Sequence, residues 1–399
     1  RRQRQMCIRD RLEMMGEEIS RQYKVSLSRQ TYEEYFARIK SGDPSKLVVI
    51  IDEAQFVAKR DTSFMEAVAK LKKHKLYPGP VLIILATSST VWATQEAAEQ
   101  FKGAEMKLES LNFLEVVRHF ESLPVAEIVR IYGAIGGVPA YLDKWDAAKS
   151  FKDNICRLVL TPSGALYGEA DAVISAELRE LSAYSTILAA IARGENKLND
   201  IFHATGFSRA KISVYLKNLA TFNIVEKVVS FETGGWENAK KGVYQIKDTF
   251  VNFWFKFVYP NMSNLYLLSP EEFYDTYIEK ELDAYLERYF REVCTEYLLI
   301  LNQMGQLPFT IKRVGTWIGK TGRIDIVAQS EDRRSIIGFC NWDKPMMTMD
   351  MCENMAMAMD QARITSDDYY LFSATDFEPA LQSYVVRDPR FKLINMNEL

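Results

Sequence analysis

Two adjacent acids, Asp52 and Glu53, are the residues best suited to chemistry in this chain. They end the apolar run Leu47-Val48-Val49-Ile50-Ile51. A run of that kind predicts a strand of a parallel sheet covered on both faces. Acids at its carboxyl edge lie where open α/β sheets bind ligands, although many strands simply end in solvated carboxylates. A second apolar run, Val81–Leu85, leads into Ala86-Thr87-Ser88-Ser89-Thr90, a strand end rich in hydroxyls. Further along, Arg209, Lys211 and Lys217 bring cations to one helix, and Asp325 lies within the extended run Arg323–Ala328.

The elements around these residues define the fold class, which is α/β. Helical spacing covers Leu12–Lys40, and a helix over Ser63–Lys75 between the two apolar runs completes a βαβ unit. Leu111–Leu142 is mostly helical, with breaks expected at Gly133 and at Gly136-Gly137-Val138-Pro139, and a polar connector follows over 143–180. Ser182–Val229 predicts three short helices with a turn at Gly206, then a strand. Leu198–Thr205 and Ser208–Leu219 have helix-turn-helix form, with Ser208 as N-cap and Ile212, Leu216 and Leu219 facing inward. Arg209, Ser213 and Lys217 line the opposite side at i, i+4 and i+8. Thr233-Gly234-Gly235-Trp236 with Lys240-Lys241 would turn the wing. Such a helix can enter a major groove of duplex DNA with Arg209, Lys211 and Lys217 on phosphates or bases; a packing module is the alternative. A helix over Glu279–Leu298 then precedes β-rich runs near 309–314, 322–328 and 335–340.

Several segments in this order carry a family resemblance. Asp52-Glu53-Ala54-Gln55-Phe56, the hydroxyl-rich strand end, Leu108-Glu109-Ser110-Leu111-Asn112-Phe113 and Gly136-Gly137-Val138-Pro139-Ala140-Tyr141-Leu142 resemble the archaeal-type P-loop ATPases. Those proteins belong with the origin-recognition and signal-transducing ATPases. The resemblance implies ATP and Mg²⁺ as cofactors. Asp52 would hold the metal through water, Glu53 would polarise the attacking water, and Ser88 would sense the γ-phosphate. It also implies that Gly136, Gly137 and Pro139 lie near the nucleotide base and open a helical lid. Two departures stand out. The family's arginine after the sensor strand is not evident, since Phe101–Lys107 offers only Lys102 and Lys107. The phosphate-binding loop is missing, and it is expected upstream of Arg1. Gly315-Thr316-Trp317-Ile318-Gly319-Lys320-Thr321 imitates that loop with too few residues between its glycines, and it is read as a hairpin connection.

The aromatic segment Phe250–Tyr266, the helix with Phe290-Arg291-Glu292-Val293-Cys294, and Gly322–Ala328 resemble the domain fused to these ATPases, which is similar to PD-(D/E)XK nucleases. That chemistry needs an Asp, then Glu-x-Lys on the next strand. Asp325 stands in the first position, but Phe339 and Asn341 stand where Glu and Lys belong. Arg291 occupies the family's acidic helix position, leaving Glu292, with Lys344 as a remote substitute. A nuclease-like fold without the activity is expected. Seven methionines in Met346–Met359 predict a core helix over the sheet, or a partner groove.

Bulk properties agree with several globular domains. At 399 residues two or three are expected. The segments are read as a P-loop core over 1–115, a lid and connector over 116–180, a winged helix over 181–247 and the nuclease-like domain over 248–399. Residues 4–11 resemble translated sequencing adapter, so the first dozen carry no fold information. A net charge of −3 supplies no global field toward nucleic acid or membrane. Five scattered cysteines and three histidines predict reduced thiols, no zinc site and a cytoplasmic location. The function expected is a nucleotide-dependent switch coupled to DNA or a protein partner. The alternatives are a DNA-binding regulator with a vestigial ATPase part, and a metal-dependent nuclease.

Overall fold

The structure is a computed structural model, and it describes residues 17, 21, 31–38, 46–73, 76–77, 79–89, 91–178, 180–231, 242–319 and 322–399. The chain divides into two compact units, Arg1–Leu108 and Glu109–Leu399.

In the first unit, α1 (Tyr32–Arg38), β1 (Leu47–Ile51), α2 (Thr62–Lys72) and β2 (Val81–Leu85) form the expected βαβ arrangement. β1 and β2 pair in parallel from Leu47↔Val81 to Ile51↔Leu85. The side chain of Asp61 caps α2 by accepting from the Ser63 N–H at 3.0 Å. Phe36, Phe64, Val68 and Leu71 are buried between the helices and one sheet face. The other face differs from expectation. Val48, Ile50, Leu82 and Ile84 are 52%, 68%, 56% and 42% exposed. Strand side chains alternate, and the described helices cover only the face of Leu47, Val49 and Ile83.

In the second unit α3 (Phe113–His119), α4 (Val125–Ile135) and α5 (Pro139–Leu142) come first. α4 runs unbroken through Gly133, correcting the expected break there. A Cβ at Gly133 would lie 2.4 Å from Leu286 Cδ2, so the glycine serves close helix packing. Three helices and a strand pair follow as α6 (Leu181–Ala192), α7 (Leu198–Thr205), α8 (Arg209–Thr221), β3 (Val225–Val228) and β4 (Val243–Ile246), with β3 and β4 antiparallel. Gly206 closes α7 in the left-handed region at φ +70°, and Ser208 caps α8 by accepting from the Lys211 N–H at 3.3 Å. The expected wing turn at 233–236 and Lys240-Lys241 lie outside the described residues.

The chain ends in a five-stranded mixed sheet. α9 (Glu279–Gln303) leads to β5 (Arg313–Ile318), β6 (Arg323–Gln329) and β7 (Ser335–Asn341), then α10 (Met349–Ala362), β8 (Asp368–Ser373), α11 (Pro379–Arg387) and β9 (Phe391–Asn395). The order is β9-β8-β7-β6-β5, with β7, β8 and β9 parallel and the rest antiparallel. The first strand begins later than expected, because Asn302 accepts from the Ile311 N–H at 2.7 Å and ties 309–311 to α9. The loop imitation dissolves into β5 and a hairpin to β6, where the Gly319 N–H donates to the Gly322 carbonyl at 2.9 Å. Residues of α9 pack on one sheet face; Met355 and Met359 of α10 and Leu381 of α11 pack on the other. The methionine-rich helix is thus a cover for the sheet, with Met357 its exposed member. Among the described residues no helix is long and apolar enough to cross a membrane.

Candidate functional site

The carboxyl edge of β1 and β2 gathers the acids and hydroxyls singled out in the sequence. The backbone ladder continues past the strands, through Ala86 N–H to Ile51 carbonyl (2.9 Å) and Ala54 N–H to Ala86 carbonyl (3.0 Å). That register sets Glu53 opposite Ser88. Glu53 Oε2 accepts from Ser88 Oγ at 2.9 Å, from the Ser88 N–H at 3.2 Å and from Gln55 Nε2 at 2.5 Å. Burial opposes the charge on Glu53, but these donors outweigh it and hold the carboxyl below its ordinary range. Its backbone sits at φ +48°, a left-handed strain costing about 1 kcal/mol or more for a residue with a side chain. Asp52 is exposed next to it, and its Oδ1 accepts the Glu53 N–H at 3.0 Å.

Sequence reasoning assigned no role to Gln55. It is 2% exposed, and its two amide ends bridge the strand ends: Nε2 reaches Glu53 and, at 3.2 Å, Ser88 Oγ, while Oε1 accepts from Thr87 Oγ1 at 2.6 Å. A polar residue two positions after the acid pair was the available signal. Buried amides are kept where every donor and acceptor is used.

Gly136, Gly137 and Pro139 lie in the second unit. Gly136 adopts φ +67°, and a Cβ there would lie 3.2 Å from Thr249 Cβ. A Cβ on Gly137 would fall 1.8 Å from the Leu111 carbonyl oxygen, and the Gly137 carbonyl accepts the Leu111 N–H at 2.8 Å. Pro139 opens α5 at its first turn. The glycines thus seat the turn on the chain entering α3. Glu296 of α9 fixes the same entry, its two carboxylate oxygens each accepting at 3.0 Å from the N–H groups of Phe113 and Leu114.

α8 presents Arg209, Lys211, Ser213, Val214 and Lys217 to solvent and buries Ile212, Leu216 and Leu219. Arg209 lies 4.1 Å over the Phe202 ring and donates to Asn199 Oδ1 at 3.0 Å. Lys211 lies 4.4 Å over Phe207. Two cations of this face are therefore held in place by aromatic rings.

Asp325 is 5% exposed and faces cations. Arg323 Nε donates to Oδ1 at 2.9 Å, Arg291 Nε lies 3.8 Å from the same oxygen, and the Cys340 N–H donates to Oδ2 at 3.1 Å. Burial and the neighbouring Arg323 lower the Arg291 guanidinium from its usual value, against the pull of Asp325. A register shift between Gly315 and Trp317 disturbs the alternation here and re-aims the strand. Phe339 packs into the opposite, α10-side cluster, so it does not join Asp325. Asn341 donates to Ser373 Oγ (3.0 Å) and Thr375 Oγ1 (3.1 Å), tying the β7 end to the turn after β8. Glu292 is engaged by Arg288 at 2.8 Å, and Lys344 pairs with Asp343 at 2.9 Å. Guanidinium groups thus occupy the space beside Asp325 that metal chemistry would require.

Comparison with known proteins adds relatives without assigned activities. Residues 254–355 match a family described as archaeal and bacterial proteins of unknown function, DUF234. The chain is similar to the uncharacterized protein MJECL04 of Methanocaldococcus jannaschii, 27% identical over 326 residues that span 80% of this chain and 71% of that one. A crystal structure of protein VC1899 from Vibrio cholerae aligns over 93% of each chain at 10% identity with a TM-score of 0.23, too low to bear on the fold.

Proposed function

We propose that this protein is a nucleotide-dependent switch in which Asp52, Glu53 and Ser88 form the acidic, metal-facing half of an ATP site. The winged helix and the C-terminal sheet would convey the state of that site to duplex DNA or a protein partner. The observation that carries this is the Glu53 carboxylate, held by Ser88 and Gln55 at the edge of two parallel strands, with Asp52 exposed beside it. Mg²⁺ bound with the nucleotide would supply charge neutralisation, and Asp52 would hold it through water. Glu53 would orient the attacking water, and the Ser88 hydroxyl would exchange Glu53 for a phosphate oxygen.

No Gly-x-x-x-x-Gly-Lys-Ser/Thr occurs in residues 1–399, so the phosphates would be held by polypeptide outside them. Calorimetric titration with Mg-ATP tests it, on residues 1–399 and on the protein extended by its upstream reading frame. Binding confined to the extended protein and lost in Asp52→Ala supports the switch. Micromolar binding by residues 1–399 that survives Asp52→Ala overturns it.

The exposed, ring-supported cations of α8 favour a second possibility, a duplex-binding regulator independent of nucleotide. Its signature would be salt-dependent binding to random-sequence duplex, weakened at least tenfold by Arg209→Glu with Lys217→Glu. Equal binding by that double variant excludes α8 as the contact.

A further inference from the structure

We propose that Cys294 and Cys340 form a peroxide-responsive thiol pair that closes to a disulfide between α9 and β7 beside Asp325. α9 carries Arg291 and, one turn on, Cys294 toward the sheet, where the thiol is fully buried. β7 brings Cys340 to the same place: its N–H donates to Asp325 Oδ2 at 3.1 Å, and Asp325 faces Arg291. Cys294 is buried in the core cluster under α9, and Cys340 packs against that same cluster. Burial pushes the Cys294 thiol well above its usual range, so it waits as the protonated partner. Cys340 is half-buried and is the sulfur that an oxidant meets first. The remaining described cysteines are placed elsewhere. Cys352 belongs to the α10-side cluster on the opposite sheet face, and Cys156 is buried among the helices.

The chemistry balances with a hydroperoxide as oxidant. Cys340 sulfur attacks the O–O bond, giving a sulfenic acid and releasing one water from hydrogen peroxide. Cys294 sulfur then attacks the Cys340 sulfur. An S–S bond forms, the S–O bond breaks, and the departing hydroxide takes the Cys294 proton as a second water. Both sulfurs are oxidised and the peroxide is reduced. The disulfide would lock β7 to α9 across the Arg291–Asp325 pair.

The test treats the full chain with hydrogen peroxide, alkylates the remaining thiols and maps the digest by mass spectrometry. We expect a Cys294–Cys340 linked peptide that disappears on reduction with dithiothreitol. Cys294→Ser should stop the reaction at a sulfenic acid on Cys340, captured by dimedone, and Cys340→Ser should leave Cys294 alkylatable. The inference is overturned if both residues stay alkylatable in the wild-type protein, or if Cys340 links to another cysteine. The wild-type digest alone decides between these outcomes if neither variant folds.

Discussion

At the scale of single residues, the unit-1 cluster makes a prediction about pH. The folded Glu53 carboxyl titrates below its unfolded value, so its hydrogen bonds stabilise the folded edge above the unfolded value and are lost as pH falls through the folded one. The Ser88 amide, which donates to Glu53, should therefore lose exchange protection as pH falls below the ordinary carboxylate range. In Glu53→Gln that acid-dependent loss should be absent; hydrogen exchange read at Ser88 checks both. Gly137→Ala places a methyl into the Leu111 carbonyl and should cost roughly 3 kcal/mol or more, measured by denaturant unfolding. Asp52, Glu53 and Ser88 were legible in the sequence because each sits where an apolar run stops. Gln55 was not, because its role depends on a second strand end brought beside it from Thr87 and Ser88.

At the scale of elements, α3 depends on a carboxylate from far along the chain. Glu296 accepts from the first N–H groups of α3 across 183 residues of sequence. Glu296→Ala should destabilise the second unit by about 1–2 kcal/mol, with Glu296→Gln recovering part of it, both read from denaturation midpoints. No local pattern announces such a cap, which is why sequence periodicity missed it. Periodicity did place α7, α8 and the turn between them, since Ile212, Leu216 and Leu219 repeat at helical spacing and Gly206 takes the left-handed turn. It failed at Gly133, where a helix breaker by composition is kept inside a helix because Leu286 and Tyr289 press against it.

At the scale of the whole molecule, residues from Phe113 to Met396 share one hydrophobic core, which takes in α3 to α9. Residues 102–110 carry no helix or strand and are exposed. Brief trypsin treatment should cut after Lys102 or Lys107, and the fragment running to Leu399 should resist further digestion and melt in a single calorimetric transition. Several successive transitions would show that the shared core does not act cooperatively.

That shared core also bears on descent. The family match over 254–355 begins among the buried aromatics before α9 and stops within α10, so it marks a stretch of similarity and not a body that can fold. Gene fusion or fission has a clean joint at Leu108/Glu109, where the two units meet in sequence. Cuts between α5 and α6, or between β4 and α9, would expose core on both sides. Relatives should accordingly gain or lose residues 1–108 as one block and inherit 109–399 together, however the boundaries of recognisable similarity are drawn.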